Sequence, residues 1–265
     1  MPTEAPPPPC RLGRPARRSL LPAMLLAAAL IVAGGPLRAA AGVERPSFFD
    51  SVEVRSEDLA AFRKWRGALD RAGLEARDPA AAGCTPAGAP ACAYGTWLQF
   101  LDGQRGVSRF RQLQAVNDEI NRRRWVADDA NWGTEDYWES PGEFLARDGD
   151  CEDFAIAKYF SLRRLGWPDS SLRIVAVRDQ QLGIGHAVLI AILDGVPYLL
   201  DNQIRALTRA DRVHHYRPVY SINESAWWQH RSRDGRPAGA VARSGALAAT
   251  GGGGRRLSPG RSAWQ

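Results

Sequence analysis

The sequence predicts one α+β domain, and three patterns carry that prediction. A stretch from Cys151 to Leu165 is apolar on nearly every side of a helix, as expected for a helix buried in the centre of a domain. Two predicted strands, His186 to Leu193 and Val196 to Asn202, flank Asp194-Gly195, a dipeptide typical of two-residue hairpin turns. Amphipathic helices precede both features. About 190 residues are available, which is enough for one domain with a sizeable core.

The elements before the buried helix are predicted from apolar spacing and capping residues. Glu57 to Ala72 is a predicted helix with Ser56 as its N-cap. A loop rich in Pro, Gly and Ala follows from Ala76 to Ala93, and Val107 to Arg124 is a second amphipathic helix. Ser140-Pro-Gly-Glu143 has the pattern of a capping box with Pro at the first helical position.

The remaining predictions complete the domain. Asp128 to Glu139, rich in acids and Trp, is predicted to be irregular. Gly166 ends the buried helix and Pro168 prevents its continuation. Leu172 to Val177 is a further strand, so the expected architecture is a buried helix with Cys at its N-terminus, packed on an antiparallel sheet.

Residues 1–41 have the pattern of a cleavable export signal. Arg residues from Arg11 to Arg18 precede an apolar run from Leu20 to Ala33, and Ala39-Ala-Ala41 supplies small residues for cleavage. An uncleaved N-terminal anchor is the alternative, although the run is short for a membrane span. Residues 42–230 form the predicted domain, and residues 231–265, rich in Arg and Gly, form a predicted disordered tail.

The basic charge of the chain lies at its two ends. The chain has 35 Lys and Arg against 29 Asp and Glu. Residues 1–41 hold five Arg and one Glu, and residues 231–265 hold seven Arg and one Asp, so residues 42–230 carry 23 basic and 27 acidic side chains. The predicted domain is therefore slightly acidic, which argues against nucleic acid as a partner.

The four Cys residues have different expected fates. Cys10 would be removed with the signal. Cys84 and Cys92 bracket a short loop and are expected to form a local disulfide in an oxidising compartment. Cys151 remains, and its three acidic neighbours argue against the role of a small buried apolar residue, which is the common one for Cys.

Cys151, His186 and Asp201 suggest a thiol nucleophile, a base and a carboxylate that orients the base. With Asp194-Gly195 as the hairpin loop, Val188 faces Asp201. His186 lies two residues from Val188 and is then a diagonal neighbour of Asp201, within reach of a side-chain hydrogen bond. A slip of one residue would place the two on opposite faces. Taken separately, His186 is explained as a half-buried strand residue and Asp201 as a turn residue at a strand end. Taken together with Cys151, the two residues favour catalysis.

The start of the buried helix presents an electrostatic conflict. Peptide dipoles favour a thiolate there, whereas the neighbouring carboxylates oppose it. A cationic His186 or a bound Ca²⁺ would offset the carboxylates. The candidate calcium ligands are Asp150 and Glu152 first, and then Asp128, Asp129 and Asp136. Ordinary helix N-terminal charge explains the same acids equally well.

Five stretches of the chain together resemble a known family. They are Glu135-Asp-Tyr-Trp138, Ser140 to Leu145, Gly149 to Phe160, Gly185 to Leu189, and Leu199 to Asn202. In these stretches the chain is similar to the bacterial transglutaminase-like cysteine proteinases, a family that includes the LapG-type periplasmic adhesin proteases. The similarity is most specific around Asp150-Cys-Glu-Asp-Phe154.

The resemblance implies a papain/transglutaminase-like α+β fold and a triad of Cys151, His186 and Asp201. It implies a periplasmic, calcium-dependent cysteine endopeptidase, with Asp150 and Glu152 as calcium ligands. The implied substrate is the N-terminal region of a large surface adhesin whose cleavage controls biofilm attachment. An inner-membrane cyclic-di-GMP receptor is the implied inhibitor. A transglutaminase-like acyltransferase, a cell-wall amidase using the same triad and a non-catalytic binding module are the alternatives.

Overall fold

The computed structural model describes residues 48–84 and 92–232, which form one α+β unit. The helices are α1 (Arg63–Arg77), α2 (Ala93–Gly103), α3 (Arg109–Ile120), α4 (Asp128–Trp132), α5 (Pro141–Arg147) and α6 (Cys151–Arg164). The strands are β1 (Val52–Ser56), β2 (Leu172–Asp179), β3 (Ile184–Leu193), β4 (Val196–Leu200), β5 (Thr208–Arg209), β6 (Tyr216–Ile222) and β7 (Trp227–Arg231).

The seven strands form one antiparallel sheet in the order β1-β7-β6-β2-β3-β4-β5. Helix α6 packs on β2 and β3, and α3 and α5 pack on α6. Alternate residues of β2 serve two cores: Ile174 and Ala176 join the core that contains α6, and Val175 and Val177 join a second cluster with Tyr216. The predicted buried helix on an antiparallel sheet is therefore confirmed.

The predicted hairpin and its register are also confirmed. Leu193 pairs with Val196, and Leu189 pairs with Leu200. The two loop residues, Asp194 and Gly195, both have positive φ, at 50° and 78°. Such a pair of angles matches the right-handed twist of the flanking strands, so the turn fixes which residues face each other.

The start of the first helix differs from the prediction. Helix α1 begins at Arg63, six residues after the predicted start at Glu57. Ser56 is the last residue of β1 and not a helix cap. Its hydroxyl accepts from the backbone N–H of Asp58, whose carboxylate accepts from Ala60 N–H, so these polar side chains stabilise turns between β1 and α1.

Two other stretches are more ordered than predicted. The expected loop from Ala76 to Ala93 contains the end of α1 and a 3₁₀ turn at Pro79–Ala82. Helix α4 lies within the stretch predicted to be irregular. The capping box at the start of α5 is confirmed, because the Ser140 backbone N–H donates to Glu143 at 2.8 Å and the Ser140 side chain accepts from the Glu143 backbone.

Several predictions concern residues outside the described ranges. The export signal in residues 1–41 and Cys10 lie there, as does nearly all of the predicted tail. Arg231, where the tail was predicted to begin, is the last residue of β7. Among the described residues, no helix combines the length and apolar character that a membrane crossing requires.

The predicted disulfide between Cys84 and Cys92 is present and joins the end of the 3₁₀ turn to the start of α2. We expect the double variant Cys84→Ala/Cys92→Ala to lose about 2–3 kcal/mol of unfolding free energy, because the open loop adds entropy to the unfolded chain. Guanidinium unfolding of the variant and of the oxidised parent measures the difference. Equal unfolding free energies would show that the bond contributes nothing to stability.

Candidate active site

Carboxylates fix the start of α6. Asp150 is the N-cap, and its backbone N–H donates to the Asp153 carboxylate at 3.1 Å while its own side chain accepts from the Asp153 backbone. A β-carbon at Gly149 would lie 2.5 Å from Oδ2 of Asp153, so this close approach requires glycine. Cys151 is therefore held as the first residue of the helix. It is buried, and its Sγ lies 3.3 Å from Oε2 of Glu152.

The hairpin brings His186 and Asp201 together, as its register predicts. Both side chains are fully buried, and Nε2 of His186 lies 2.8 Å from Oδ1 of Asp201. Strand β4 ends at Leu200, so Asp201 directly follows the paired residues. The predicted contact within the hairpin is confirmed.

Two further groups hold the Asp201 carboxylate. The Tyr216 hydroxyl donates to Oδ2 at 2.7 Å, and the backbone N–H of Gln203 donates to Oδ1 at 2.9 Å. Burial by itself raises the pKa of Asp201, but the charge and hydrogen bond of His186 and the Gln203 N–H outweigh it and hold the pKa well below its usual range. Asp201 is therefore an ionised carboxylate that only accepts hydrogen bonds.

A cluster of acids surrounds the start of α6. Carboxylate oxygens of Asp128, Asp150 and Asp153 lie within 4.8 Å of one another, and so do those of Asp128, Asp136 and Glu152. One oxygen each of Asp128, Asp150 and Glu152 is buried and accepts no hydrogen bond within the described part of the chain. Unsatisfied buried carboxylate oxygens at this spacing are a suitable set of ligands for a hard cation such as Ca²⁺.

Burial and mutual repulsion raise the pKa values of these acids. Burial is the larger cause, and it raises the pKa of Asp128 to about 6 and that of Asp150 to about 7, with repulsion from neighbouring carboxylates adding to both. The pKa values of Glu152 and Asp153 are raised well above their usual range for the same two reasons. Lys64 contacts the Asp136 carboxylate but lies at the edge of this negative cluster. A bound cation would remove much of the repulsion.

The structure corrects the list of candidate acids. Asp129 is exposed at the start of α4, where its carboxylate accepts from Ala130 N–H, and it is not part of the cluster. Glu139, which the sequence did not single out, is buried beside the cluster, and burial and then repulsion raise its pKa to about 8. Its Oε1 accepts from Asn131 and Trp132.

Lys158 is a second group that the sequence analysis did not single out. It lies on α6, is fully buried, and its Nζ has no hydrogen-bond partner among the described residues. Burial lowers its pKa to about 7, although attraction to Asp201 opposes that shift. An unsatisfied buried ammonium costs several kcal/mol of stability, so Lys158 destabilises the fold at the pH where it is charged.

We expect Lys158→Met to raise the unfolding free energy by about 1–4 kcal/mol at pH 6, because it replaces a buried charge by an apolar chain of similar length. The folded pKa of Lys158 is below its unfolded value, so the penalty is fully present below about pH 7 and is relieved as the pH rises toward 10.5. The increase in unfolding free energy caused by Lys158→Met should therefore be smaller at pH 9. Urea unfolding at both pH values measures it, and a gain that grows with pH would contradict this origin.

Comparisons with known proteins give one family match and several similar structures. The sequence model of the bacterial transglutaminase-like cysteine proteinases matches residues 91–234, more than half of the chain. A structure of Legionella pneumophila LapG is 27% identical, with a TM-score of 0.48, over 61% of this chain and 87% of that one. Calcium-bound and EGTA-treated structures of the same protein are also 27% identical, each with a TM-score of 0.49. They cover 67% and 63% of this chain, and 92% and 87% of theirs.

A comparison with curated proteins gives no match. The family match nevertheless spans α2 through β7, which includes the Cys helix, the hairpin and the whole acid cluster. The chain therefore belongs to the bacterial transglutaminase-like cysteine proteinases, and it is a cysteine protease with the transglutaminase-like α+β fold.

Proposed function

We propose that the chain is an exported, calcium-dependent cysteine endopeptidase in which Cys151, His186 and Asp201 form the catalytic triad. The observation that carries this proposal is the buried hydrogen bond between His186 and an ionised Asp201. A carboxylate in this position orients the imidazole and stabilises its protonated form, which is what a base needs when it takes a proton from a thiol.

The position of the helix start supports the inclusion of Cys151. Helix α6 begins at Cys151 and packs on β2 and β3, and His186 lies on β3. The helix that carries Cys151 therefore packs against the strand that carries His186.

The proposed reaction uses these three residues. The proton of the Cys151 thiol moves to His186, and the sulfur forms a bond to the substrate carbonyl carbon while the carbonyl electrons move onto oxygen. Backbone N–H groups at the start of α6 stabilise that oxyanion. The carbonyl then re-forms and the C–N bond breaks while His186 gives the proton to the leaving amine, which leaves a thioester that water hydrolyses.

The acid cluster supports the calcium part of the proposal. The residues that would hold the ion are Asp128, Asp136, Asp150, Glu152 and Asp153. When bound, Ca²⁺ neutralises carboxylates next to a sulfur that has to ionise, and it holds the helix start in place. Asp150 and Glu152 flank Cys151 directly, so they couple the ion to the nucleophile.

The substrate, the inhibitor and the periplasmic location come from the sequence resemblance described above. We infer that the chain cleaves the N-terminal region of a large surface adhesin and thereby controls biofilm attachment. An inner-membrane cyclic-di-GMP receptor is the inferred inhibitor. The cleavable N-terminal signal of residues 1–41 would deliver the enzyme to the periplasm, where both partners are accessible.

The test is incubation of the chain, without residues 1–41, with purified adhesin N-terminal regions, in Ca²⁺ and in EGTA. Mass spectrometry should find two new fragments whose masses add up to the substrate plus water, in Ca²⁺ only. Enzyme alkylated with iodoacetamide is the control. A parallel reaction with a primary amine and with peptidoglycan tests the alternatives. If the adhesin stays intact, incorporation of the amine would identify the chain as an acyltransferase, and cleavage of peptidoglycan would identify it as an amidase.

A further inference from the structure

The second ring nitrogen of His186 also contacts a side chain. Nε2 of the imidazole is held by Asp201 at 2.8 Å, and the Gln203 side-chain Nε2 lies 3.3 Å from Nδ1. The two contacting residues lie two positions apart, just after β4. His186 itself is fully buried, so few groups can compete for either nitrogen. The imidazole is therefore held from both sides by one short segment.

The chemistry of the contacting atoms assigns the proton on the neutral ring. The ionised Asp201 carboxylate can only accept, so Nε2 of His186 carries the hydrogen that faces it. Nδ1 is then the ring nitrogen that carries no hydrogen. The amide nitrogen of Gln203 can only donate, and it donates to Nδ1. Nδ1 is also the nitrogen left to receive a proton from a thiol.

The same turn that orients Asp201 places Gln203. The backbone N–H of Gln203 donates to Oδ1 of Asp201 at 2.9 Å, which fixes the start of the Gln203 side chain relative to the carboxylate. Any residue except proline preserves that backbone bond. Changes to the Gln203 side chain therefore remove the contact with Nδ1 and leave the support of Asp201 in place.

We propose that Gln203 is a positioning residue of the reaction: its side-chain amide holds His186 with Nδ1 bare and directed to accept the thiol proton. This inference rests on the proposed function. As the S–H bond breaks, its electron pair stays on sulfur and an N–H bond forms at Nδ1. At that moment the side-chain N–H of Gln203 has to stop donating to the lone pair of Nδ1. Rotation about the terminal torsion of Gln203 turns its oxygen toward the new N–H, because that torsion is broad and roughly two-fold.

The first test is spectroscopic and independent of cleavage. The chain has four His, so ¹⁵N-histidine labelling in a Cys151→Ala background gives few signals, and a His186→Gln sample assigns His186. We expect one tautomer of His186, protonated at Nε2, and a ¹⁵N chemical shift of Nδ1 typical of a ring nitrogen that accepts a hydrogen bond. In Gln203→Leu this chemical shift should move toward the value of a ring nitrogen that accepts no hydrogen bond. An unchanged signal would overturn the proposal.

The second test is kinetic and uses the Gln203→Leu and Gln203→Glu variants. Loss of one hydrogen bond should lower kcat about fivefold in Gln203→Leu with little change in KM. Gln203→Glu keeps the shape but cannot donate when ionised, and it should lose more. Asn202→Ala, the neighbouring control, should match the parent. Parental kcat in both Gln203 variants would overturn the role in the reaction. If no adhesin fragment is cleaved by the parent, the proposed function fails, and the NMR result still decides whether Gln203 sets the His186 tautomer.

Discussion

Replacement of Cys151 by Ala should abolish cleavage of an adhesin fragment, with a loss of at least about 10⁴-fold in kcat/KM. Loss of one member of a nucleophile–base unit typically costs about as much as loss of the unit, so little residual activity is expected. The side chain is buried at the start of α6, and removal of one sulfur leaves the capping box of Asp150 and Asp153 intact. The folded structure should therefore survive.

Two measurements separate lost chemistry from lost structure in this variant. Circular dichroism and the thermal midpoint in Ca²⁺ should match those of the parent. Cys151→Ser is the matched control, because it retains a small polar atom at the same position and should also be inactive. Cleavage at the parental rate by pure Cys151→Ala protein would show that the nucleophile lies elsewhere.

Removal of calcium should inhibit cleavage and destabilise the fold together. At a concentration one hundred times its dissociation constant, Ca²⁺ bound at the proposed site would stabilise the fold by about 2.7 kcal/mol, which would raise Tm by about 5–10 °C for a domain of this size. EGTA should remove both the activity and this increase in Tm. Ca²⁺ should restore them better than Mg²⁺, which demands tighter octahedral geometry and retains its water.

The cluster itself supplies the variants for this experiment. Asp150→Ala and Glu152→Ala should lose activity and the Ca²⁺-dependent rise in Tm, because each removes a carboxylate beside Cys151. Asp129→Asn is the matched control: it removes an exposed carboxylate one residue from Asp128 and should leave both unchanged. If calorimetry detects no Ca²⁺ binding and the parent keeps full activity in EGTA, the calcium proposal is wrong. These acids would then act only as negative charges that stabilise the helix N-terminus.

Local sequence information was sufficient for the features closest to the chemistry. The apolar run after Cys151 predicted α6, and Asp194-Gly195 predicted the hairpin and its register. The contact between His186 and Asp201 followed from that register alone. In each case the determining signal lies within about 16 residues, where turn geometry and periodicity operate.

Features that depend on distant partners were missed. β1 pairs with β7, about 175 residues later in the chain, and neither strand was predicted. Tyr216 reaches Asp201 only because β6 pairs with β2 in the sheet. Lys158 carried a usable signal, since a cation within an apolar helix is unusual, and its position on α6 would have marked it as buried.

The short chain distance between His186 and Asp201 has a consequence for the order of folding. The two residues are 15 positions apart and belong to one local hairpin, and hairpins form in about 1–10 μs. The β1–β7 pairing is long-range and costs far more loop-closure entropy, so the complete sheet should form later. His186 and Asp201 should therefore meet before the sheet is complete, and in the proposed mechanism the docking of α6 against that sheet is the step at which a nascent chain would become able to cleave its substrate.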